Sequence, residues 1–204
     1  DDLGALLPDA AGRHLGPRLR PATRVAALQE HASGWTLAGD GWTEDFHRVI
    51  WATAASPAAT ALGDTTGVGA NAAQRREWAA TTRRLDFTAI TTVYAWAPGT
   101  RLSAPMVALR CSPAAPAQFV FDRGQLRPDD ASMQGVLAFV ISASEGERET
   151  LQAQVLAQAA AQLGLRNLQA IQTVVEKRAT FACTPGLLRP STATGIPSVA
   201  MSSA

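Results

Sequence analysis

LDFTAITTVYAWAP, residues 85–98, carries apolar side chains on both faces of a long predicted β-strand. One alternating set includes Val93 and Ala95, and the other includes Tyr94 and Trp96. Since successive side chains of a strand point to opposite faces, a strand that is apolar on both has protein or ligand on each side. This stretch therefore predicts a strand that is covered on both faces.

The elements that follow this strand come in an order typical of an α+β fold. Residues 145–164 are the clearest predicted helix, because Leu151, Val155 and Leu163 recur at helical spacing and Gly164 stands where a helix would end. The other β-rich runs of this region are residues 106–112, 117–124, 132–144 and, after the helix, 167–186. Strands, one helix and a returning strand predict an open mixed sheet with a helix packed on one face.

The region before residue 67 contains three further runs that predict a β-meander. They are residues 23–31, 34–39 and 46–54, and Gly and Asp turns separate them. The last run is apolar on both faces near its end, at RVIWATA (48–54), and this predicts a strand that returns into a buried sheet.

GVGANA, residues 67–72, fits a loose form of the glycine-rich dinucleotide-binding fingerprint. That fingerprint requires a buried strand leading into the glycines and a helix whose amino terminus faces a pyrophosphate. The preceding residues, SPAATALGDTT (56–66), favour a short helix and a loop instead. The sequence therefore predicts a linker and helix over residues 67–84, with no nucleotide at these glycines.

Composition argues against several classes of partner. The 204 residues have a formal net charge of +1 and no basic field, so nucleic acid is not an expected partner. The longest apolar runs, such as GVLAFVIS (135–142), are too short to span a bilayer. Cys111 and Cys183 are single and far apart, which predicts reduced thiols in a cytoplasmic protein.

Residues suited to metal or acid–base chemistry are sparse. His14, His31 and His47 lack the spacing of a metal site, and no metal is predicted. No GxSxG elbow and no phosphate-binding loop occurs, so nucleophilic and phosphoryl-transfer enzymes lose their usual support. Asp122 and Arg123, in FVFDRG, suit either a hairpin turn or an ion pair at a strand end.

Aromatic residues are concentrated on the predicted strands after residue 85. They are Tyr94, Trp96, Phe119, Phe121 and Phe139. Charged residues of this region are nearly confined to turns. The aromatic side chains therefore form either the core of a domain or the wall of an apolar pocket for a large hydrophobic ligand, and the spacing leaves both interpretations open.

RVIWATAASPAATALG (48–63) resembles a segment of the FAD-dependent amine oxidase and phytoene desaturase superfamily, in which a strand and small-residue turn precede a proline and a short helix. RPATRVAALQEHASGWTLAGDG (20–41) resembles the strand and meander of that superfamily. FTAITTVYAW, QFVFDRG, LAFVISAS and VVEKRATFACTPGLLRP are most similar to one branch, the squalene-associated FAD-dependent desaturases, also called hydroxysqualene dehydroxylases. The resemblance covers most of residues 3–190.

The resemblance implies an FAD cofactor. In the superfamily, the valine that matches Val25 places its backbone against the adenine, and the turn that matches Ala52, Thr53 and Ala54 passes close to the ADP half. Small residues suit such a turn, because backbone must approach the ligand closely.

The resemblance also implies a long isoprenoid substrate, such as squalene, hydroxysqualene or a carotenoid precursor, that exchanges a hydride with the flavin. Candidates for the substrate pocket on the matching strands are Tyr94, Trp96, Phe119, Phe121 and Arg178. No catalytic residue is assigned, because the flavin carries this chemistry. The alternatives are an amine or porphyrinogen oxidase of the same fold, and a non-redox module that binds an apolar ligand or a protein partner.

By the same resemblance the chain is an internal fragment of an oxidoreductase. It comprises part of a Rossmann-like FAD-binding domain over residues 1–66, the linker and helix over 67–84, a substrate-binding domain over 85–190 and a disordered tail over 191–204. The amino-terminal GxGxxG strand and the carboxy-terminal AGD segment of the superfamily have no match here. The chain is therefore expected to be inactive alone and not to hold FAD tightly. A dimer through surface exposed by truncation, and peripheral contact with the inner membrane, are further expectations.

Overall fold

The computed structural model describes residues 3–63 and 72–190. Contacts divide them into two compact units, one formed by residues 3–16 and 86–182 and the other by residues 17–85 and 183–190. In chain order the elements are α1 (Leu3–Leu15), β1 (Ala27–His31), β2 (Gly34–Gly39), β3 (Trp42–Phe46), α2 (Ala55–Gly63), α3 (Ala72–Arg83), β4 (Phe87–Trp96), β5 (Met106–Ala108), β6 (Phe119–Asp122), α4 (Arg123–Leu126), β7 (Val136–Ser142), α5 (Arg148–Leu163) and β8 (Gln169–Phe181).

The first unit is built on a five-stranded sheet with the order β5-β6-β7-β4-β8. Its described pairings are all antiparallel. β7 and β8 run in the same direction on either side of β4, and α5 connects them, which is a split β-α-β arrangement. The predicted α+β class is confirmed. The predicted mixed sheet is antiparallel instead, because β4 separates the two strands that run parallel.

Helix α5 covers one face of this sheet, and the main core lies beneath it. The helix ends at Gly164, whose φ of 72° lets its N–H bond to the carbonyl of Ala159. The buried core residues alternate along the strands: Val93, Ala95, Val120, Leu137, Phe139 and Ile141, packed against Leu151, Val155 and Ala159 of the helix. Phe139 is completely buried here, so among the aromatic residues it belongs to the core.

The second unit contains an antiparallel meander of β1, β2 and β3. Gly39 pairs with Trp42, so Asp40 and Gly41 form a two-residue hairpin turn, and Gly41 has a φ of 76°. Asp-Gly is a favoured sequence for such a turn, because it tolerates positive φ. This turn places residues 42–46 in the third strand, whereas the apolar pattern predicted residues 46–54.

The prediction of a returning strand at residues 48–54 was wrong. This segment contains no strand, and Ile50 is 66% exposed. Extended backbone becomes a strand only when a neighbour satisfies its N–H and C=O groups, and none of the described strands pairs with this segment. Val49 and Trp51 pack instead against the core of the second unit.

That second core lies between the meander and the helices α2 and α3. Its buried residues are Trp35, Ala58, Ala59, Leu62, Trp78 and Ala79. Arg75 of α3 is also fully buried, and its guanidinium pairs with the carboxylate of Glu30 on β1. The meander and α3 are therefore joined by both apolar packing and a buried ion pair.

Parts of two predictions lie outside the described residues: residues 67–71 of the linker and the whole tail, 191–204. The predicted domain boundaries stay predictions. In the described part of the chain, no helix combines the length and the apolar character needed to cross a bilayer.

Candidate functional site

Four of the five residues predicted to line a substrate pocket lie on the sheet face opposite α5. Phe121 and Tyr94 are both cross-strand partners of Ala138, one from each side. Residues directly opposite each other across a sheet point to the same face. The two aromatic rings therefore flank a single methyl group.

The same face continues at the neighbouring positions. Trp96 is opposite Val136, and Phe119 is opposite Val140. Trp96 is 40% exposed and Phe119 is 38% exposed, in contrast to the fully buried Phe139 on the other face. We define the aromatic face by these side chains: Tyr94, Trp96, Phe119, Phe121, Val136, Ala138 and Val140. Of the aromatic residues on these strands, Phe139 therefore belongs to the core, whereas Trp96 and Phe119 belong to a partly exposed face that could form a pocket wall.

The members of the aromatic face are apolar apart from the Tyr94 hydroxyl and the Trp96 indole N–H, and none carries a charge. Beyond them, the same side of the sheet presents polar side chains: Thr92 opposite Val140, Gln172 opposite Tyr94, and Glu176 opposite Ile90. Met106 of β5, which pairs with Phe121 and is 51% exposed, extends it towards one edge of the sheet. A surface of this composition can bury an uncharged apolar ligand without leaving a charge unpaired.

Arg178, the fifth predicted pocket residue, lies elsewhere. Its guanidinium carbon is 5.2 Å from the ring centroid of Phe87, at the opposite end of β4 from Trp96. Nine residues of extended chain separate Phe87 from Trp96, or about 30 Å at 3.3 Å per residue. Arg178 is therefore not brought together with the Trp96 end of the aromatic face.

A cavity of about 280 Å³ lies at the Trp96 end of the sheet. Its lining residues are Trp96, Pro98, Gly99, Thr100, Arg101, Asp122, Gln134 and Gly135. Gly135 has a φ of 74°, and a side-chain carbon there would lie 2.7 Å from the Ala97 carbonyl oxygen and 3.4 Å from the Trp96 indole nitrogen. The backbone at Gly135 thus packs closely against the Ala97 carbonyl, and a side chain there would be strained both by that contact and by the positive φ.

Asp122 is the buried charge of this cavity, with a relative exposure of 2%. Its carboxylate accepts hydrogen bonds from the Leu102 N–H at 3.0 Å, the Gln125 N–H at 3.2 Å and the Gln125 side-chain amide at 2.7 Å. Burial acts to raise the pKa of the carboxyl. The hydrogen bonds from Gln125 and Leu102, with the charge of Arg101, outweigh burial and hold the pKa below its usual range. Asp122 also caps the short helix α4, so the predicted turn at FVFDRG is a helix start.

A second cavity, of about 400 Å³, lies near the amino-terminal end of α5. Ser112, Gln118, Ser144 and Thr150 supply much of its polar lining. None of the aromatic side chains of the aromatic face reaches it. Its separate lining distinguishes it from the site that the predicted substrate residues form.

The predicted cofactor residues do not form a pocket in the described part of the chain. Val25 is 45% exposed and precedes β1 instead of lying within a strand. Ala52, Thr53 and Ala54 are exposed between β3 and α2. Their small side chains leave the backbone accessible, but nothing described encloses a ligand there. That Val25, Ala52, Thr53 and Ala54 contact FAD stays a prediction.

No cluster of three or more His, Cys, Asp or Glu side chains suited to a metal occurs among residues 3–63 and 72–190. His31 lies 3.7 Å from Asp45, across the meander. Cys111 and Cys183 are both exposed and reduced. The Ser33 hydroxyl lies 3.1 Å from Nδ1 of the same His31, at an exposed turn of the meander, so the described residues include a serine–histidine contact as well as binding surfaces.

Sequence reasoning missed Ala138, Val140, Arg101 and Gln134 as parts of the site. The two β7 residues read as ordinary strand positions, and only the register with β4 and β6 shows that they separate the aromatic rings. Arg101 and Gln134 are in loops that converge on Trp96. The one available signal was Gly135, because a glycine directly before a strand marks a close approach of backbone.

No protein-family model and no curated protein matches the sequence. Solved structures share its fold, and two of them are the following. Reduced UDP-galactopyranose mutase has a TM-score of 0.61 and 13% sequence identity, over 82% of this chain and 37% of the mutase chain. A protein from Exiguobacterium sp. 255-15, described as a candidate protoporphyrinogen oxidase, has a TM-score of 0.50 and 15% identity, over 80% of this chain and 36% of that one. This chain therefore spans well under half the length of either structure, and at these identities it is similar to them in fold.

Proposed function

We propose that this chain is the substrate-binding part, with a piece of the cofactor domain, of a flavin-dependent oxidoreductase that acts on a long apolar isoprenoid. The observation that carries the proposal is the aromatic face, where Tyr94 and Phe121 flank Ala138 and no member carries a charge. The sequence resemblance to FAD-dependent desaturases supports it. The fold supports it too, because it is similar to part of reduced UDP-galactopyranose mutase and to part of the Exiguobacterium protein described as a candidate protoporphyrinogen oxidase.

In this proposal, FAD is held by the longer protein and supplies hydride transfer at an allylic carbon of the substrate. The residues of this chain bind and orient the substrate and exclude water from it. Complete burial of a large apolar side chain contributes about 1.5–3 kcal/mol, and a ligand would cover the part of each ring that is still exposed, 40% of Trp96 and 38% of Phe119. Contributions of this size from several rings hold a hydrocarbon without any ionic contact. The protein would be cytoplasmic, and it would meet the membrane only to collect its substrate.

Binding of squalene to this chain tests the proposal. Nile red, an uncharged apolar dye, is bound first, and squalene delivered from cyclodextrin displaces it. We expect Phe119→Ala and Trp96→Ala to weaken squalene binding by about 10-fold or more. Leu126→Ala, which removes an equally exposed apolar side chain from α4, is the matched control and should leave binding unchanged. Squalene binding that is absent, or that is insensitive to both aromatic substitutions, would refute the proposal.

The flavin part of the proposal has its own measurement. The longer protein that contains this chain should purify with bound flavin, visible in its absorbance spectrum. This chain alone, mixed with FAD and passed through gel filtration, should retain none in stoichiometric amount. A colourless longer protein would support the non-redox module, whose binding of an apolar ligand needs no cofactor.

A porphyrinogen oxidase is the second candidate, favoured by the Exiguobacterium structure. Porphyrinogens carry carboxylates, which require cationic partners. The aromatic face contains none, and Arg178 lies near Phe87. Arg101 of the adjoining cavity is already accompanied there by the carboxylate of Asp122. Protoporphyrin IX, used as a stable probe, should therefore displace Nile red more weakly than squalene does, and the reverse order would favour this candidate.

A further inference from the structure

The cavity at Trp96 is at the small end of the range for ligand pockets. Its volume is about 280 Å³, whereas cavities that enclose whole drug-sized ligands are about 300–1,000 Å³. Trp96 lines the cavity and is also part of the aromatic face, so the two surfaces are continuous. A long ligand on the aromatic face can therefore place one end in this cavity.

The chemistry of the cavity differs from that of the aromatic face. Thr100, Arg101, Gln134 and the indole of Trp96 contribute hydrogen-bond donors. Asp122 contributes a carboxylate, but Leu102 and Gln125 already supply its hydrogen bonds. The hydroxyl oxygen of Thr100 and the amide oxygen of Gln134 can accept, and one N–H of Gln134 already donates to the Gly124 carbonyl at 3.4 Å. The remaining N–H and O–H groups, most of them on Arg101, still outnumber these acceptors.

The charges of the cavity balance. Arg101 is positive, and its charge helps to keep Asp122 ionised. A carboxylate ligand would be attracted by Arg101 and repelled by Asp122. An ammonium ligand would be repelled by Arg101 and attracted by Asp122. Either ion would lose its hydration without a full partner, which is costly. A hydrocarbon end would leave the donors unpaired, which costs less but is still unfavourable.

We infer that this cavity holds an uncharged hydrogen-bond acceptor, of the alcohol or ether class, at one end of a ligand whose apolar body lies on the aromatic face. This inference rests on the proposed function and deepens it, because it assigns Trp96, Arg101 and Gln134 to selection of the ligand's polar end. Arg101 acts in it through charge balance as well as hydrogen bonding, so removal of its charge changes which end group is preferred.

Four probes with the same fifteen-carbon skeleton test the inference: farnesol, farnesoic acid, farnesylamine and the saturated hydrocarbon farnesane. Each displaces Nile red from the complete chain. We expect farnesol to bind about 10-fold more tightly than farnesane, the gain from one well-made hydrogen bond, and more tightly than either ion. Arg101→Gln should move the preference towards farnesylamine, because Asp122 is then unbalanced. Arg148→Gln, at the start of α5, is the control and should keep the original order.

Two readouts separate the possible failures. Equal binding of farnesol and farnesane, with both still weakened by Phe119→Ala, would refute the polar-end cavity and leave the aromatic face standing. No binding of any probe would refute both proposals. In ¹H–¹⁵N spectra the indole signal of Trp96, identified as the one lost in Trp96→Phe, should shift with farnesol more than with farnesane. An unshifted indole signal in the presence of bound farnesol would also overturn the inference.

Discussion

Arg75 and Glu30 form a two-pronged ion pair, in which both terminal nitrogens of the guanidinium donate to the two carboxylate oxygens. Arg75 is completely buried, and its guanidinium carbon lies 5.4 Å from the ring centroid of Trp35. Its Nε has no hydrogen-bond partner among the described residues. The pair joins α3 to β1, so a single buried cation fixes how the meander packs on this helix.

Glu30→Ala should destabilise the chain by about 3–5 kcal/mol, because it leaves the buried guanidinium without a counter-charge. Replacing both partners by methionine should cost far less, because no charge then remains buried. The midpoint of urea unfolding measures the difference. Glu44→Ala, which breaks the exposed Arg20–Glu44 pair, is the control and should barely move the midpoint. A double variant as unstable as Glu30→Ala would contradict this explanation.

Gln158 of α5 should prove more important than its neighbours on the same helix. Its buried side chain accepts from the Ala117 N–H at 2.9 Å and donates to the carbonyls of Ala117 and Arg110 at 2.8 and 3.1 Å. Gln158→Leu leaves the N–H and the carbonyl of Ala117 unsatisfied, whereas the Arg110 carbonyl keeps its hydrogen bond from Gln162 at 2.7 Å. The substitution should cost about 2–4 kcal/mol of unfolding free energy. Gln154→Leu removes one exposed bond at 3.3 Å and should cost little.

Faster hydrogen exchange at the Ala117 amide in Gln158→Leu would identify the lost contact. If Gln154→Leu and Gln158→Leu destabilise the chain equally, the buried amide has no special role.

Acid should destabilise the chain partly through Asp122. Its pKa is lowered in the folded state from the usual value of 3.8, so below that value the unfolded chain takes up a proton more readily than the folded chain does. The resulting stability is present above pH 3.8 and is lost as the pH falls towards the folded pKa. Asp122→Asn should flatten this part of the curve of unfolding free energy against pH. Curves of identical shape for the two proteins would show that Asp122 does not contribute.

Loss of a phenylalanine ring should have different effects on the two faces of the large sheet. Phe139→Ala empties a fully buried site under α5 and should cost about 3–5 kcal/mol. Phe119→Ala, on the aromatic face and 38% exposed, should cost much less stability while weakening ligand binding. Thermal unfolding and Nile red binding, measured on both variants, check this. A large loss of stability in Phe119→Ala would mean that the aromatic face is part of the core.

The sequence predicted the large sheet well, because its strands and α5 have strong periodicity. It failed at the third strand of the meander. The third strand was predicted from the apolar run around Val49 and Trp51. The Asp40-Gly41 turn, which fixes the pairing and places the strand directly after it, was not used. The aromatic strands were recognised, but composition could not separate Phe139 from Phe119, since only the register assigns them to opposite faces.

The site was less predictable than the fold. Arg178 matched a family segment, yet its position along β8 places it near Phe87. Arg75 and Glu30 are far apart in sequence, and nothing in either local pattern indicates that they meet. Pairings of this kind depend on tertiary structure, which local periodicity does not encode.

The central position of β4 also governs how the chain can fold during synthesis. Its pairing with β8, from Phe87 with Phe181 to Trp96 with Gln169, joins residues that leave the ribosome about 70 to 95 positions apart. At about 5–20 residues per second, one edge of β4 stays unpaired for roughly 4–20 s after its own translation. An apolar strand with an open edge is prone to pair with other chains during that time. Slower translation of residues 97–168 should therefore reduce the yield of native protein through aggregation, without altering the sequence.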